Sequence, residues 1–174
     1  AITVVNSQAS TQTTALTPVS AAGANSNNKF YSNTIQNCNI GIALIGYAAP
    51  SPFTLADTGN EIGSTLASTS NSLLNFGGAA AATNPAAGIR TLAQYNLVVA
   101  NNVINNNNGS GVNHVAVLRG IYLNTATSAN VSVLNNTLTL ASAATGAQMS
   151  AIENVSGATS ANNTVSINNN LISN

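Results

Sequence analysis

Between Gly120 and Ser150 the sequence reads GIYLNTATSANVSVLNNTLTLASAATGAQMS, and its aliphatic residues fall in three short alternating runs. Ile121 and Leu123 alternate with Tyr122 and Asn124. Val131 and Val133 flank Ser132, and Leu138 and Leu140 flank Thr139. A period of two is the strand period, because successive side chains leave a strand on opposite faces. Asn, Ser, Thr and Gly between the runs supply turns. Three such strands in one 31-residue stretch suit a single coil of a three-sided parallel β-helix, with the aliphatics inward and Ser and Thr outward.

The same signals recur on both sides. Two small polar residues, a polar residue and an aliphatic one appear as Ser32-Asn33-Thr34-Ile35, Asn101-Asn102-Val103-Ile104, Asn135-Asn136-Thr137-Leu138 and Asn162-Asn163-Thr164-Val165. Looser copies are Thr58-Gly59-Asn60-Glu61-Ile62 and Ser70-Asn71-Ser72-Leu73. A small residue followed by Ile appears at Gly41-Ile42, Gly88-Ile89, Gly120-Ile121 and Ala151-Ile152. The last three start at 88, 120 and 151, steps of 32 and 31 residues. The 47-residue step from 41 to 88 implies a loop insertion containing Ala48-Ala49-Pro50-Ser51-Pro52, which has turn composition.

These spacings predict an all-β fold, a right-handed parallel β-helix of about five three-stranded coils, the first and last partial. Coil boundaries fall near Gly41, Gly88, Gly120 and Ala151, with outward loops at 7–28, 77–87 and 141–149. Residues 1–174 read as one segment that continues beyond both ends or stacks with neighbours, since both Ala1-Ile2-Thr3-Val4-Val5 and Asn170-Leu171-Ile172-Ser173-Asn174 have strand character and neither end has an evident cap. Helices are disfavoured by the Asn, Ser, Thr and Gly content. A β-sandwich also has many short strands, but it does not require one tetrapeptide per coil. Layers about 4.8 Å apart would make a rod of roughly 20–25 Å.

Stacking places equivalent residues of successive coils over one another. A bend asparagine tolerates left-handed backbone angles, and its amide can bond to the asparagines above and below. Asn33, Asn102, Asn136 and Asn163 are the candidates for such a ladder. Ile35, Leu73, Ile104, Leu138 and Val165 would stack beside it, and Ile42, Ile89, Ile121 and Ile152 would form a second stack.

The composition is 44% hydrophobic but only 3% charged, with three basic and three acidic side chains. An average globular chain carries roughly 25% charge. A nucleic-acid partner would need a basic patch, and none is present. Uncharged Asn, Ser and Thr must hydrate the surface, or the segment sits inside a larger assembly. No apolar run reaches the ~18 residues of a membrane helix. Cys38 is the single cysteine, so no internal disulfide can form.

Chemistry-bearing residues are few. Asp57 and Glu61 flank the Gly59-Asn60 turn and are the only neighbouring carboxylates, the minimum for glycoside hydrolysis. Arg90 and Arg119 sit beside strand starts of neighbouring coils and could share a face. His114 is the only histidine, so a His-based metal site is excluded, and it is expected at a loop edge. Cys38 reads as a buried small hydrophobe. The calcium nonapeptide and the phosphate-binding glycine loop are absent. Thr125-Ala126-Thr127 and Thr137-Leu138-Thr139 fall on different strands of one coil, unlike an ice-binding ladder. Sequons such as Asn130-Val131-Ser132 are expected by chance in so Asn-rich a chain. The residues thus predict no catalytic, metal or cofactor site.

The run Asn33-Thr34-Ile35-Gln36-Asn37-Cys38-Asn39-Ile40-Gly41-Ile42-Ala43-Leu44 resembles right-handed β-helix repeats of very large secreted proteins of Bacteroidota. Ser51 to Ile62 and Arg119-Gly120-Ile121-Tyr122-Leu123 share the resemblance. It implies export by type 9 secretion to the cell surface and an adhesin- or filament-like role without catalysis. The expected partners are copies of the chain or flanking repeats, through end-to-end strand stacking, and surface polysaccharide. A carbohydrate-binding or carbohydrate-cleaving β-helix is the alternative.

Overall fold

The computed structural model describes residues 1–8, 11–15, 17–78, 85–109, 111–124, 129–155 and 163–174. The chain is a parallel β-solenoid of three sheets, each five strands deep. Layer 1 contains β1 (Ile2–Val5), the short strands β2 (Ser7–Gln8) and β3 (Thr11–Ala15), then β4 (Lys29–Phe30) and β5 (Thr34–Gln36). Layer 2 contains β6 (Ile40–Ile45), β7 (Asp57–Thr58), β8 (Glu61–Ile62) and β9 (Ser72–Leu74). Layer 3 contains β10 (Ala86–Leu92), β11 (Gln94–Tyr95), β12 (Leu97–Ala100) and β13 (Val103–Asn105). Layer 4 contains β14 (Leu118–Leu123), β15 (Asn130–Leu134) and β16 (Thr137–Thr139). Layer 5 contains β17 (Met149–Asn154), β18 (Thr164–Asn168) and β19 (Leu171–Ser173).

Sheet 1 runs β1-β6-β10-β14-β17, sheet 2 runs β4-β8-β12-β15-β18, and sheet 3 runs β5-β9-β13-β16-β19. Every pairing within them is parallel, since each strand meets its neighbour only after a full turn of chain. β7 and β11 pair at the corner between sheets 1 and 2. Among the described residues, the only helical segments are two 3-10 turns, Ala21–Gly23 and Ala67–Thr69.

The register follows the aliphatic pattern. Ile2, Ile42, Ile89, Ile121 and Ile152 form one column of sheet 1. Phe30, Ile62, Val99, Val133 and Ile167 form a column of sheet 2. Ile35, Leu73, Ile104, Leu138 and Ile172 form one of sheet 3. Middle members of all three are fully buried. Each such side chain contributes roughly 1.5–3 kcal/mol by leaving water.

Several expectations need correction. Val165 stacks on Val131 and Leu97 in sheet 2, and Ile172 takes its place in the sheet 3 column. Asn163 directly precedes β18, so it stands at the start of a sheet 2 strand and outside the ladder. The expected loop at 7–28 contains an antiparallel hairpin, β2 with β3. The extra length between Gly41 and Gly88 is divided. Part lies at 46–56, between β6 and β7, and part at 63–71, between β8 and β9. First and last layers each supply a strand to all three sheets.

The small residues before each isoleucine have a steric cause. Along the column of Gly41, Gly88 and Gly120, side chains of sheet 3 press directly against the backbone of sheet 1. A Cβ on Gly88 would lie 2.6 Å from Ile104 Cγ2 and 2.8 Å from the Gly120 carbonyl oxygen. A Cβ on Gly120 would lie 2.6 Å from Leu138 Cδ2 and 2.5 Å from the Ala151 carbonyl oxygen. The second contact is with backbone, which cannot swing aside. Gly120→Ala should therefore destabilise the fold by about 1–3 kcal/mol through overpacking. Chemical denaturation followed by circular dichroism checks this, and an unchanged midpoint would contradict it.

Candidate functional site

At the corner between sheets 2 and 3 the chain places one asparagine per layer: Asn33, Asn71, Asn102, Asn136 and Asn170. Asn102 shows the pattern. Its backbone N–H and its Nδ2 donate to Asn136 Oδ1, both at 2.9 Å. Its Oδ1 accepts from the Asn71 N–H at 3.3 Å and from Asn71 Nδ2 at 2.8 Å. Its second amide hydrogen goes to the Ile62 carbonyl, at 2.8 Å. Asn136 repeats this with Asn170 and the Val99 carbonyl. Both amide hydrogens and both lone pairs of a buried side chain are used, the condition under which burying an amide is not costly.

Asn33, Asn102 and Asn136 stand in this ladder as the tetrapeptide reading places them. Asn163 does not. Asn71 and Asn170 complete the column, and their signal was present in Ser70-Asn71-Ser72-Leu73 and in Asn169-Asn170-Leu171-Ile172. Asn170 follows Asn136 by 34 residues, the step from Asn102 to Asn136, whereas Asn163 follows by only 27.

The two jobs expected of one asparagine are divided between neighbours. Asn101, Asn135 and Asn169 adopt φ of 58°, 55° and 54°, and Ser32 adopts 55°. The residue after each carries the ladder amide. Asn tolerates the left-handed region better than other non-glycine residues, so a double Asn sets both the bend and the rung.

Asp57, Glu61 and His114 are engaged as well. Asp57 is buried at the corner between sheets 1 and 2. Its Oδ1 accepts from Asn6 Nδ2 at 3.1 Å and from the Asn25 N–H at 2.9 Å, and its Oδ2 lies 3.5 Å from Gln94 Nε2. Asn25 Nδ2 in turn donates to Asn6 Oδ1. Burial pushes the Asp57 carboxyl above its ordinary value, and these donors offset only part of the shift. Glu61 lies on the outward face of sheet 2, where Lys29 and Tyr31 donate to it and hold its carboxyl below the usual range. The two neighbouring carboxylates are thus separately occupied, one enclosed by amides and one paired with a cation.

His114 is fully buried instead of lying at a loop edge. Its Nδ1 accepts from the Gly78 N–H at 3.2 Å, which leaves Nε2 to donate to the Val117 carbonyl, also at 3.2 Å. It ties the chain after sheet 3 of layer 2 to the corresponding chain of layer 3. Cys38 is half-buried against the core.

Arg90 and Arg119 do share the outward face of sheet 1. Arg119 Nε donates to Glu153 Oε2 at 2.7 Å, and its guanidinium lies 4.2 Å from the centre of the Tyr122 ring. Thr137 and Thr139 face outward on sheet 3, where Val103 and Leu171 interrupt one column and Leu74 and Asn105 the other. Thr125 to Thr127 lie outside the described residues. Among those residues, no three His, Cys, Asp and Glu side chains gather where a metal ion could bind, and no helix is long and apolar enough to cross a membrane.

No family model, curated protein or solved structure matches the chain.

Two outcomes are expected. Asn102→Ala leaves two donors of Asn71 and the Ile62 carbonyl without partners, at about 1–3 kcal/mol each. It should cost at least about 3 kcal/mol in urea unfolding, against less than about 0.5 kcal/mol for the exposed Asn108→Ala. The second outcome concerns Asp57, whose folded carboxyl titrates above its unfolded value of 3.8. Its proton-linked stability is present in full below that unfolded value and is lost as pH rises through the folded one. The stability of the parent chain minus that of Asp57→Asn should therefore increase between pH 7 and about pH 4. Groups common to both proteins cancel in this difference; a gap that narrows on acidification would contradict the reading.

Proposed function

We propose that this chain is a non-enzymatic structural and adhesive segment of an extracellular or cell-surface filament or giant adhesin, extended by adding β-layers in register. The observation that carries the reading is the surface of layer 5. Ile172 is 54% exposed and Leu171 65%, while Ile35, in the same inward column as Ile172, is only 7% exposed in layer 1. Met149 and Ile167 are exposed on the same layer. A cavity of about 240 Å³ opens there between Leu140, Met149, Ala151, Ile172 and Asn174.

Among the described residues, layer 5 therefore offers three unpaired strand edges around an apolar centre, a template for further β-structure. By the ladder's own repeat, the Asn170 N–H is the donor that a following layer's amide oxygen would accept. Further repeats of a longer chain, or another copy, would both lengthen the rod. The near-absence of charge supports this, since no large like-sign field opposes close stacking. The resemblance of Asn33–Leu44 to repeats of giant secreted Bacteroidota proteins supports a cell-surface setting, with type 9 secretion as the corresponding route.

Electron microscopy of the native material should show fibres or long stalks. In analytical ultracentrifugation the 174-residue chain should form elongated oligomers at high concentration, and Ile172→Asp should return it to monomer. Compact globular particles in the native material, with a monomeric parent chain, would overturn the proposal.

A further inference from the structure

The outward face of sheet 1 across layers 2 to 5 stands apart from the strand edges of layer 5 that stacking would use. Arg90, Tyr122 and Glu153 occupy one outward column there, and Ala87, Arg119 and Ser150 a second. Arg119 bridges the columns, with Nε and Nη2 on the two oxygens of Glu153 at 2.7 and 3.3 Å and its guanidinium against the Tyr122 ring. That charge is neutralised within the sheet, and the contact fixes the Tyr122 ring beside Arg90.

Arg90 has no such counterpart. Among the described residues, Lys29 pairs with Glu61 and Arg119 with Glu153, while Arg90 forms no ion pair. Its Nε is shut off from solvent and has no hydrogen-bond partner. A ligand that engaged this guanidinium would meet a cation that no carboxylate of the described residues neutralises. A cavity of about 210 Å³ opens at this place, lined by Ile40, Pro85, Arg90, Arg119, Tyr122 and Asn124. It combines a planar cationic fork, an aromatic ring, an amide and an apolar floor.

We propose that this groove is a binding site for an acidic polysaccharide, with Arg90 receiving the carboxylate of one uronic-acid unit. A guanidinium takes a carboxylate in paired, charge-assisted hydrogen bonds. Tyr122 and Pro85 supply the apolar surface on which a sugar ring rests. An acidic peptide would share only the first of these features. No bond is made or broken, since no carboxylate lies free beside the groove to act as acid or base.

The probe is a tetramer of galacturonic acid, titrated into the full chain by calorimetry and by NMR of the Tyr122 and Arg90 side chains. A Kd of about 1 mM or tighter is expected, weakening as salt rises. The fully methyl-esterified tetramer should bind at least about tenfold more weakly, as should the acid form to Arg90→Gln, while Lys29→Gln should bind as the parent does. An acidic hexapeptide of equal charge should bind more weakly than the sugar. Equal binding of acid and ester, unchanged affinity in Arg90→Gln, preference for the peptide, or no binding of the acid tetramer would each overturn the proposal. Should Arg90→Gln fail to fold, the acid-against-ester comparison on the parent chain decides alone.

Discussion

The forward hydrogen bond from one asparagine to the amide oxygen of the next is the constraint on which the solenoid depends. A buried amide needs two donors and two acceptors around it, and no single layer supplies them. Asn102 finds them only because Asn71 lies in the layer before and Asn136 in the layer after. A layer rotated or slipped by one residue would leave several polar groups buried and unpaired, at about 1–3 kcal/mol each. Hydrophobic stacking by itself is less discriminating, because Ile, Leu and Val exchange places in a column at little cost. The aliphatic columns hold the layers together, and the amides fix which residue lies over which.

This explains how much of the fold was legible in the sequence. Period-two runs identify strands, and a step near 32 residues identifies winding, so the sheet 1 isoleucine column could be read directly. Ladder membership was read from a tetrapeptide, which is degenerate in a chain so rich in asparagine. It placed Asn163 in the column, although its distance from Asn136 is a sheet too short. The column spacing carries the physical constraint, since a full turn must be completed before a residue can lie over its equivalent, and Asn170 satisfies it. Other features left no local signal. The Asp57 knot joins residues 32 and 51 positions apart. Burial of His114 depends on Gly78, 36 positions before it. The hairpin of β2 and β3 lies in a Ser- and Thr-rich stretch that reads equally well as loop.

The candidate sites were legible only in part, because charge in this chain is used sparingly and its meaning is set by pairing. Sequence places Arg90 and Arg119 beside similar strand starts, which makes them look equivalent. In the sheet they are not. Glu153, one layer beyond Tyr122, reaches Arg119 and leaves Arg90 without a counterion. Likewise Asp57 and Glu61 are close in sequence but lie on opposite sides of the sheet surface, one turned inward among amides and one outward toward Lys29. Against a background of neutral Asn, Ser and Thr, Arg90 is left on its face as a cation outside the ion pairs of the described residues.

The ladder also has a direction. Asn71, Asn102 and Asn136 each donate the backbone N–H and one amide hydrogen toward the next layer, and return the other amide hydrogen to a carbonyl of the layer before. In layer 1 Asn33 turns that hydrogen to the Tyr31 carbonyl of its own layer, and in layer 5 Asn170 turns its forward hydrogen to the Asn168 carbonyl. The two faces of the stack are therefore chemically different. One presents an amide oxygen and the other a backbone N–H, so a layer can join in register only in one orientation. The apolar centres differ in the same sense, closed around Ile35 and open around Ile172. A stack of such layers is polar along its axis, and the hydrogen bonds that set its register also give it that direction.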